Sequence, residues 1–574
     1  SLNGAGTTLG SIEGAGEFHL GSKTLTVGGN GFDTEVTGVI DGTGSLVKTG
    51  AGKLTLSGAN AYTGTTSIEA GELEVNGSVA GTLLSVASGA RLSGSGSVTN
   101  TEVLVGGTIS PGSGSVGTLT VNGDLVIATG ARYEVDVAET GNGSDRIAVT
   151  GTAELNGGSV VHVGLSGAFD PDAVYTIFTA GAVEGRFDAA TSDFAFLTPT
   201  LSYDGTSVEM KLTRNSVEFD DVALTANERA IAQALERLAA NNEVVRALLK
   251  LDTANARGAF RQLVGDVYAS MPASSAMSAT VMANALTQRL MQAASDYVRQ
   301  GSAIRGYAAS PVLENLDAAP VGISTWISGF GGKSELSGDG NAADVEQSGG
   351  GFLAGADAQV YDWTVGAFGG YGRSATRADG AEVDADNYHL GLYAGTHAGD
   401  LAFRSGLSYT WSDLSSDRTV AFPGFSDHLT ADYGSQTFQA FGELAYRFAT
   451  PLVDLEPFAN LSYVDVETNG FSETGGPAAL TVEASDLGVA FTTIGLRAEA
   501  PVALGEIPAR LHGSIGWRHA YGDTLPTGSA SIQDSSFTVA GSAITRDAAV
   551  FGAGADFDLT GNATLGAGYH GQIG

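Results

Sequence analysis

The chain has 574 residues, 83 of them Gly and none Cys, a net charge of −35 and a mean hydropathy of +0.08. Without Cys there are no disulfides and no thiolate metal sites. A nucleic-acid ligand would need a basic footprint that this charge denies, and no stretch reaches the roughly 20 apolar residues of a membrane helix.

Residues 1–215 are rich in Gly, Ser, Thr, Val and Leu. Short strand-like runs recur at Lys23–Val27, Lys53–Ser57, Gly71–Val75, Leu83–Val86, Thr118–Val121, Asp124–Ile127 and Arg132–Val137, many of them separated by Gly or Asn-Gly. Strands of about five residues at intervals of about 10–20 predict a parallel solenoid in which each rung gives one strand to each stacked sheet. A β-sandwich is the alternative. The uneven turn spacing and the lack of a Trp or Cys core marker count against it.

At 222–300 the period changes. Thr225-Ala226-Asn227-Glu228 reads as a capping box. Behind it Ile231, Leu235, Leu238, Val244, Leu248 and Leu251 keep helical spacing, and a second helical stretch is expected around Ala279–Arg299. Helices of this length between two β zones predict a connector. Gly301–Val321, with Pro311 and Pro320, reads as a loop or extended link.

Residues 322–574 alternate apolar and polar side chains. In 436–448, Phe438, Ala440, Leu444, Tyr446 and Phe448 share one face, and Thr437, Gln439, Glu443 and Arg447 the other. In 400–411, Leu401, Phe403, Leu407, Tyr409 and Trp411 lie opposite Arg404, Ser408 and Thr410. In 386–397, Tyr388, Leu390, Leu392 and Ala394 oppose Asn387, His389, Tyr393 and His397. A strand with one lipid face and one wet face has this period of two, so a transmembrane β-barrel is predicted. Eleven strands are expected, near 322–331, 350–360, 361–372, 385–397, 400–412, 435–448, 452–466, 489–501, 507–520, 547–559 and 562–572. Tight links (Tyr361-Asp362, Gly399-Asp400, Gly561-Asn562) fall at one end and long loops (373–384, 413–434, 467–488, 521–546) at the other. Bacterial single-chain barrels have an even strand number, so one closing strand after Gln572-Ile573-Gly574 is expected to be missing. The start, Ser1-Leu2-Asn3-Gly4, carries no signal peptide, which predicts a C-terminal piece of a longer exported precursor.

The chain resembles the monomeric (type Va) autotransporters of Gram-negative bacteria. Gly42–Gly77 is similar to the passenger-associated transport repeat. GTISPGSGSVGTLTVNGDL, GSDRIAVTG, AVYTIFTAG and LSYDGTSVEMKLTRN, within Gly107–Asn215, are similar to the pertactin-like C-terminal passenger region. TANERAIAQAL, QLVGDVYAS and LTQRL resemble the family's linker, and 322–574 its translocator barrel. The resemblance implies an all-β chain, with a right-handed parallel β-helix joined by an α-helical linker to a 12-strand-type antiparallel barrel whose last strand is missing. The implied domains are 1–106 (passenger, with the repeat at 42–77), 107–221 (autochaperone region), 222–321 (helical linker) and 322–574 (barrel). It implies an outer-membrane protein, expected to be monomeric, whose barrel anchors, translocates and displays its own passenger at the cell surface. Implied partners are outer-membrane lipid, the barrel-assembly machinery, periplasmic chaperones and a host surface ligand for the passenger; no nucleic acid is expected. Two alternatives stay open: a surface adhesin, and a scaffold for an absent upstream enzyme domain. A porin-like barrel with a fused β domain is the reading outside the family. Members finish on an aromatic residue, whereas this chain ends on Gly574.

Arg404, Glu443, Arg447, Glu456, Arg497, Glu499, Arg510 and Arg518 are the candidates for a polar lumen, either as a mutually compensated charge network or as contacts to a helix threaded through it, around 279–300. Trp326, Trp363, Tyr409, Trp411, Tyr446, Tyr463 and Trp517 are the candidates for interfacial aromatic girdles. No Gly-x-Ser-x-Gly elbow with a plausible triad, His-Glu-x-x-His or P-loop stands out. His389 and His397 are eight residues apart, about 26 Å along an extended strand, too far to share a metal. Asn241-Asn242 lacks the surroundings of a self-cleaving Asn pair. No enzyme, cofactor or metal is expected in these residues.

Overall fold

The structure is a computed structural model. It describes residues 6–138, 143–163, 173–300, 322–450, 452–504, 507–560 and 563–574. The link expected at Gly301–Val321 lies outside them, as does the tight turn at Gly561-Asn562. The chain forms two compact units.

In the first unit, strands stack in parallel into three sheets of nine, eight and eight strands, the last ending in antiparallel pairs. Register fixes why these sequences stack. Leu54, Leu73, Leu92, Ile109, Tyr133 and Val160 stand directly above one another in one sheet. Val98, Val121 and Val149 form a second such ladder. All of these side chains are buried. Each rung thus covers the apolar face of the next, at about 1.5–3 kcal/mol per buried side chain before chain entropy is subtracted. This is the solenoid, not the sandwich. At its end the pairing turns antiparallel: Leu197–Tyr203 and Ser207–Arg214 form a hairpin on Tyr175–Thr179. Arg214 then lies 5.3 Å over the ring of Phe196 and 4.9 Å over that of Phe219.

The helices are α1 (Ala226–Glu236), α2 (Glu243–Leu248), α3 (Thr253–Val264) and α4 (Asp266–Gln300). The run from Ile231 to Leu251, read as one helix, is two. The first ends at Glu236, and Asn242 caps the second, its Oδ1 accepting from the Val244 and Val245 amides at 2.9 and 3.3 Å. Thr225 caps α1 as expected, accepting from the Glu228 amide at 3.1 Å. Glu228 reaches back to the Leu224 amide instead of that of Thr225. The expected single connector also divides: residues 239–258 belong with the solenoid, and 223–238 and 259–300 with the second unit. α4 begins thirteen residues before the expected 279. Pro272 and a run of Ala, Ser and Met had hidden its first turns.

The second unit is an eleven-stranded antiparallel wall in which every strand pairs with the next, from Ile323–Leu336 to Ala563–Ile573. The strands are longer than expected, and one of the presumed long loops is itself a hairpin: Leu401–Phe422 and Phe425–Tyr446 turn only at 423–424. The reason is a phase change. From Leu401 to Trp411 the odd-numbered apolar residues Leu401, Leu407, Tyr409 and Trp411 are exposed, while Arg404 and Ser408 are buried. Beyond Ser412 the polar Asp413, Ser415 and Asp417 are exposed, and the even-numbered Leu414, Val420 and Phe422 are buried. The outside switches from apolar to polar without any break in the strand. Segments 467–484 and 523–546 add a separate four-stranded sheet, made of Phe471–Ser472, Leu480–Val482, Thr527–Ile532 and Ser535–Ala540.

Candidate functional site

The concave face of the wall holds α4. On one side Ser278 Oγ donates to Gln347 Oε1 at 2.7 Å, and Arg289 grips Asp357 through Nε and Nη2 at 2.7 and 2.8 Å. On the other side Gln292 donates to Asp556 at 3.0 Å and Met277 touches Arg518. The sequence places Gln347 and Asp357 on the second strand of the wall and Arg518 and Asp556 on its ninth and tenth, so the sheet curls around the helix. Leu286 and Leu290 pack against Leu353, Phe368, Tyr393 and Phe441. Asp357 is also bonded by the Tyr393 hydroxyl at 2.8 Å, and Trp326 Nε1 donates to Tyr393 at 2.6 Å.

Four of the eight charged lumen candidates meet. Arg404 donates to Glu443 and Glu456, each at 2.9 Å, and Arg497 donates to Glu443 at 2.6 and 2.7 Å and to Glu456 at 3.1 Å. Arg497 also lies 3.8 Å over the Phe458 ring. Arg518 is buried, bonds Gln572, sits 5.0 Å over Phe491 and reaches Met277 on α4. Arg510 is buried with Nη2 3.8 Å from Asp558. Arg447 pairs with Asp454 in an exposed position, and Glu499 is exposed. The strongest wall contacts to α4 come from Asp357 and Gln347, which were not singled out in the sequence. Asp357 carries a signal nonetheless: it is the one charge inside the small-residue run Gly349 to Ala358.

Trp363, Tyr409, Trp411, Tyr446, Tyr463 and Trp517 stand outward, 36–47 % exposed. Trp326 does not. It packs inward against Phe368 and Tyr393, because its indole N–H has the Tyr393 hydroxyl to bond there. It is therefore removed from the outward set. Along Trp363–Ala378 the outer row reads Trp363, Val365, Ala367, Gly369, Tyr371, with an aromatic at each end of an apolar stretch.

Residues 325–570 match the family model of the autotransporter β-domain, and residues 46–75 that of the passenger-associated transport repeat. Two relatives from Serratia marcescens, each named "Extracellular serine protease", are 32 % and 30 % identical to this chain over 93 % of its length.

The chain is an autotransporter.

It is an outer-membrane protein, with a barrel in the membrane and a passenger at the cell surface. The autotransporter chain spans about half the length of these relatives, 54 % and 55 %. "Adhesin BmaC autotransporter" of Brucella suis is 35 % identical over 27 % of the chain and 4 % of its own length. Among solved structures, the translocator domain of NalP from Neisseria meningitidis aligns with 52 % of this chain and 92 % of its own, at 18 % identity and a TM-score of 0.38. The β domain of Bordetella BrkA aligns with 44 % of this chain and 92 % of its own, at 21 % identity and a TM-score of 0.33.

The relatives overturn one expectation. No enzyme was expected, yet both relatives covering nearly the whole chain are named as serine proteases. Within the solenoid, His162 Nδ1 lies 3.0 Å from Ser192 Oγ. This is no catalytic pair: the imidazole is fully buried, and its Nε2 makes no hydrogen bond where a hydrolase would hold substrate or an orienting carboxylate.

Asp145 of this passenger is buried and accepts from the Gly117 amide at 2.8 Å and the Asp136 amide at 3.1 Å. Burial pushes its carboxyl up to about 7 despite both bonds. A folded-state value above the unfolded one gives stability that is full below the unfolded pKa and lost as pH rises through about 7. Burial lowers His162 to about 4, and its contribution has the opposite sign: it is present above the ordinary imidazole range and lost as pH falls. Pulse proteolysis of the passenger in urea at pH 4, 6 and 8 should therefore show D145N losing stability relative to the parent mostly at the acid end. H162Q should gain there. A D145N difference independent of pH would show that Asp145 does not titrate in this range.

Proposed function

We propose that this chain is the secretion and display module of a surface serine protease. In this reading the wall conducts the passenger outward, rung-by-rung folding of the solenoid retains it, and the catalytic domain precedes residues 1–574. The observation that carries the protease part is the similarity, over nearly all of this chain, to two relatives so named and about twice as long. ATP is absent outside the inner membrane, so stacking of apolar rungs supplies the drive. The proposed division is 1–106 and 107–221 for passenger and autochaperone, a linker ending at 321, and 322–574 for the barrel. Residues 107–214 fold first and template the rest. Trp363, Tyr371, Tyr409, Trp411, Tyr446, Tyr463 and Trp517 serve as the girdles. An apolar band of this size needs periplasmic chaperones and the barrel-assembly machinery before it meets lipid.

A peptide tag placed before Ser1 should be reached by antibody on intact cells, and a tag found only after lysis would refute display. Joined to its natural upstream sequence, the module should carry a hydrolase activity abolished by a serine-directed inhibitor. A surface-exposed but inert product would remove the protease part alone.

α4 is proposed to close the pore, held by the Arg289–Asp357 pair. In planar bilayers R289A should open more often, and to a larger conductance, than the parent. Because the pair is bidentate and nearly dry, R289K should fall between the two. Equal conductance in all three would show that α4 stays seated on its apolar contacts alone.

A further inference from the structure

The four-stranded sheet outside the membrane band is seated on the helices: Asn227 of α1 donates to the Ala540 carbonyl at 2.8 Å and accepts from its amide at 3.0 Å, and Arg237 donates to Ser535 Oγ and the Ser536 carbonyl. Ile544, at its end, is buried in one cluster with Val267, Tyr268 and Met271 of α4, and Phe471 and Val482 pack on the same cluster. Two glycines permit the contact. A Cβ on Gly541 would lie 2.6–2.7 Å from the backbone of Ala269 and Ser270, and one on Gly265, at φ +65°, 2.6 Å from Leu480. Polar groups continue the seam. The Ser542 amide donates to Ser270 Oγ at 2.9 Å, and Ser542 Oγ donates to the Ala343 carbonyl at 2.6 Å. Asp266 accepts from the Ala343 amide at 2.8 Å.

At the far edge the buried Arg418–Glu473 pair is completed from the helical side. Tyr268 donates to Glu473 at 2.6 Å, Arg418 donates to the Gln262 carbonyl at 2.8 Å, and Glu473 Oε2 takes the Leu480 amide at 2.8 Å. Without α3 and α4 these apolar side chains would face water, and the ion pair would lose two of its bonds, to Gln262 of α3 and Tyr268 of α4, in a dry site where incomplete pairing is costly.

We propose that segments 467–484 and 523–546 form a lid that closes on the chain's own helices, α1 and the first two turns of α4, so that closure is triggered by their arrival at the mouth. An extended passenger in transit offers no helix backbone at Gly541 and no Tyr268 hydroxyl to Glu473. The lid then stays open while chain is moving and shuts when the linker reaches its seat. This rests on the translocator reading of the wall.

The chain has no Cys, so single thiols report cleanly. Ala269 Cβ is 3.6 Å from where a Cβ on Gly528 would sit, inside the disulfide range of about 3.5–4.5 Å. The A269C/G528C double variant should therefore form its disulfide nearly completely in assembled protein. Failure to do so in a folded wall would overturn the seat. The buried reporter I544C should resist a charged maleimide in detergent-purified protein. Adding G541L should raise its labelling rate at least tenfold, and adding S270A a few-fold. Wall assembly is checked by heat-modifiable gel migration and by the fluorescence of the four Trp, all of which lie in 326–517. Should G541L fail to assemble, G541A and S270A carry the test. Unchanged labelling with an intact wall overturns the lid. Labelling that rises in detergent, but not on intact cells, leaves the lid standing and overturns the outward orientation on which it rests.

Discussion

Replacing Glu443 with alanine should destabilise the wall by about 3–5 kcal/mol, the range for stranding a buried charge. Glu443 is 2 % exposed and takes three hydrogen bonds, one from Arg404 and two from Arg497. Glu456 answers the same two guanidinium groups, so the four charges cancel. Glu443→Ala leaves one positive charge in excess in a site that water barely reaches. Glu443→Gln keeps the shape and one acceptor oxygen and should lose less. In the double variant E443A/R497A the excess charge is gone, and part of the loss should return. Tryptophan emission during urea unfolding measures this directly. R447A is the control. Its partner Asp454 lies in a half-open site, and surface pairs of that kind contribute about 0–1 kcal/mol. A cost below that range for E443A would mean that water screens the quartet and that it has little to do with stability.

The second large effect is expected at Tyr133. Its ring is fully buried between Ile109 and Val160 of the neighbouring rungs and lies 6.3 and 6.1 Å from the rings of Phe178 and Phe187. Its hydroxyl donates to the Ile177 carbonyl at 2.5 Å. Tyr133→Ala should cost about 3–5 kcal/mol, as large aromatic truncations in cores do. Tyr133→Phe should cost about 1–3 kcal/mol through the carbonyl left unpaired. Since 1–221 contains no Trp, protection from pulse proteolysis is the readout. Position along the solenoid should matter as much as size. If 107–214 templates the rest, Y133A should expose the rungs before it to protease while the wall still assembles. L25A, near the other end, should expose only its own rung. Equal spread from both sites would end the templating idea.

Much of this architecture is legible in the residues because it rests on short-range rules. A period of two marks which side chains of Leu401–Trp411 share a face. Leucines and valines recurring from rung to rung mark the solenoid. What stayed hidden depends on longer range. Past Ser412 the alternation continues, but its meaning reverses, since water replaces lipid outside and the cluster around Tyr268 and Met271 replaces water inside. Read locally, Asp413 to Phe422 therefore looks like a polar loop. Trp326 could not be told from the outward tryptophans because its indole N–H finds Tyr393 only once strands 67 residues apart in number are joined. The same holds for Arg289 and Asp357, which are 68 residues apart. The sheet outside the membrane is fully tertiary. Its strands are two to six residues long and are ordered by Ala269 and Tyr268, which lie two hundred residues or more away.

The reversal after Ser412 also encodes a thickness. From Leu401 to Trp411 there are ten residue steps, about 33 Å along the strand at ~3.3 Å each, or about 25 Å along the membrane normal at a tilt of about 40°. The chain thus carries a ruler for the bilayer it enters. An insertion of two residues between these positions would preserve every facing relationship yet raise one rim by about 5 Å, and either the lipid would have to stretch or the wall lean.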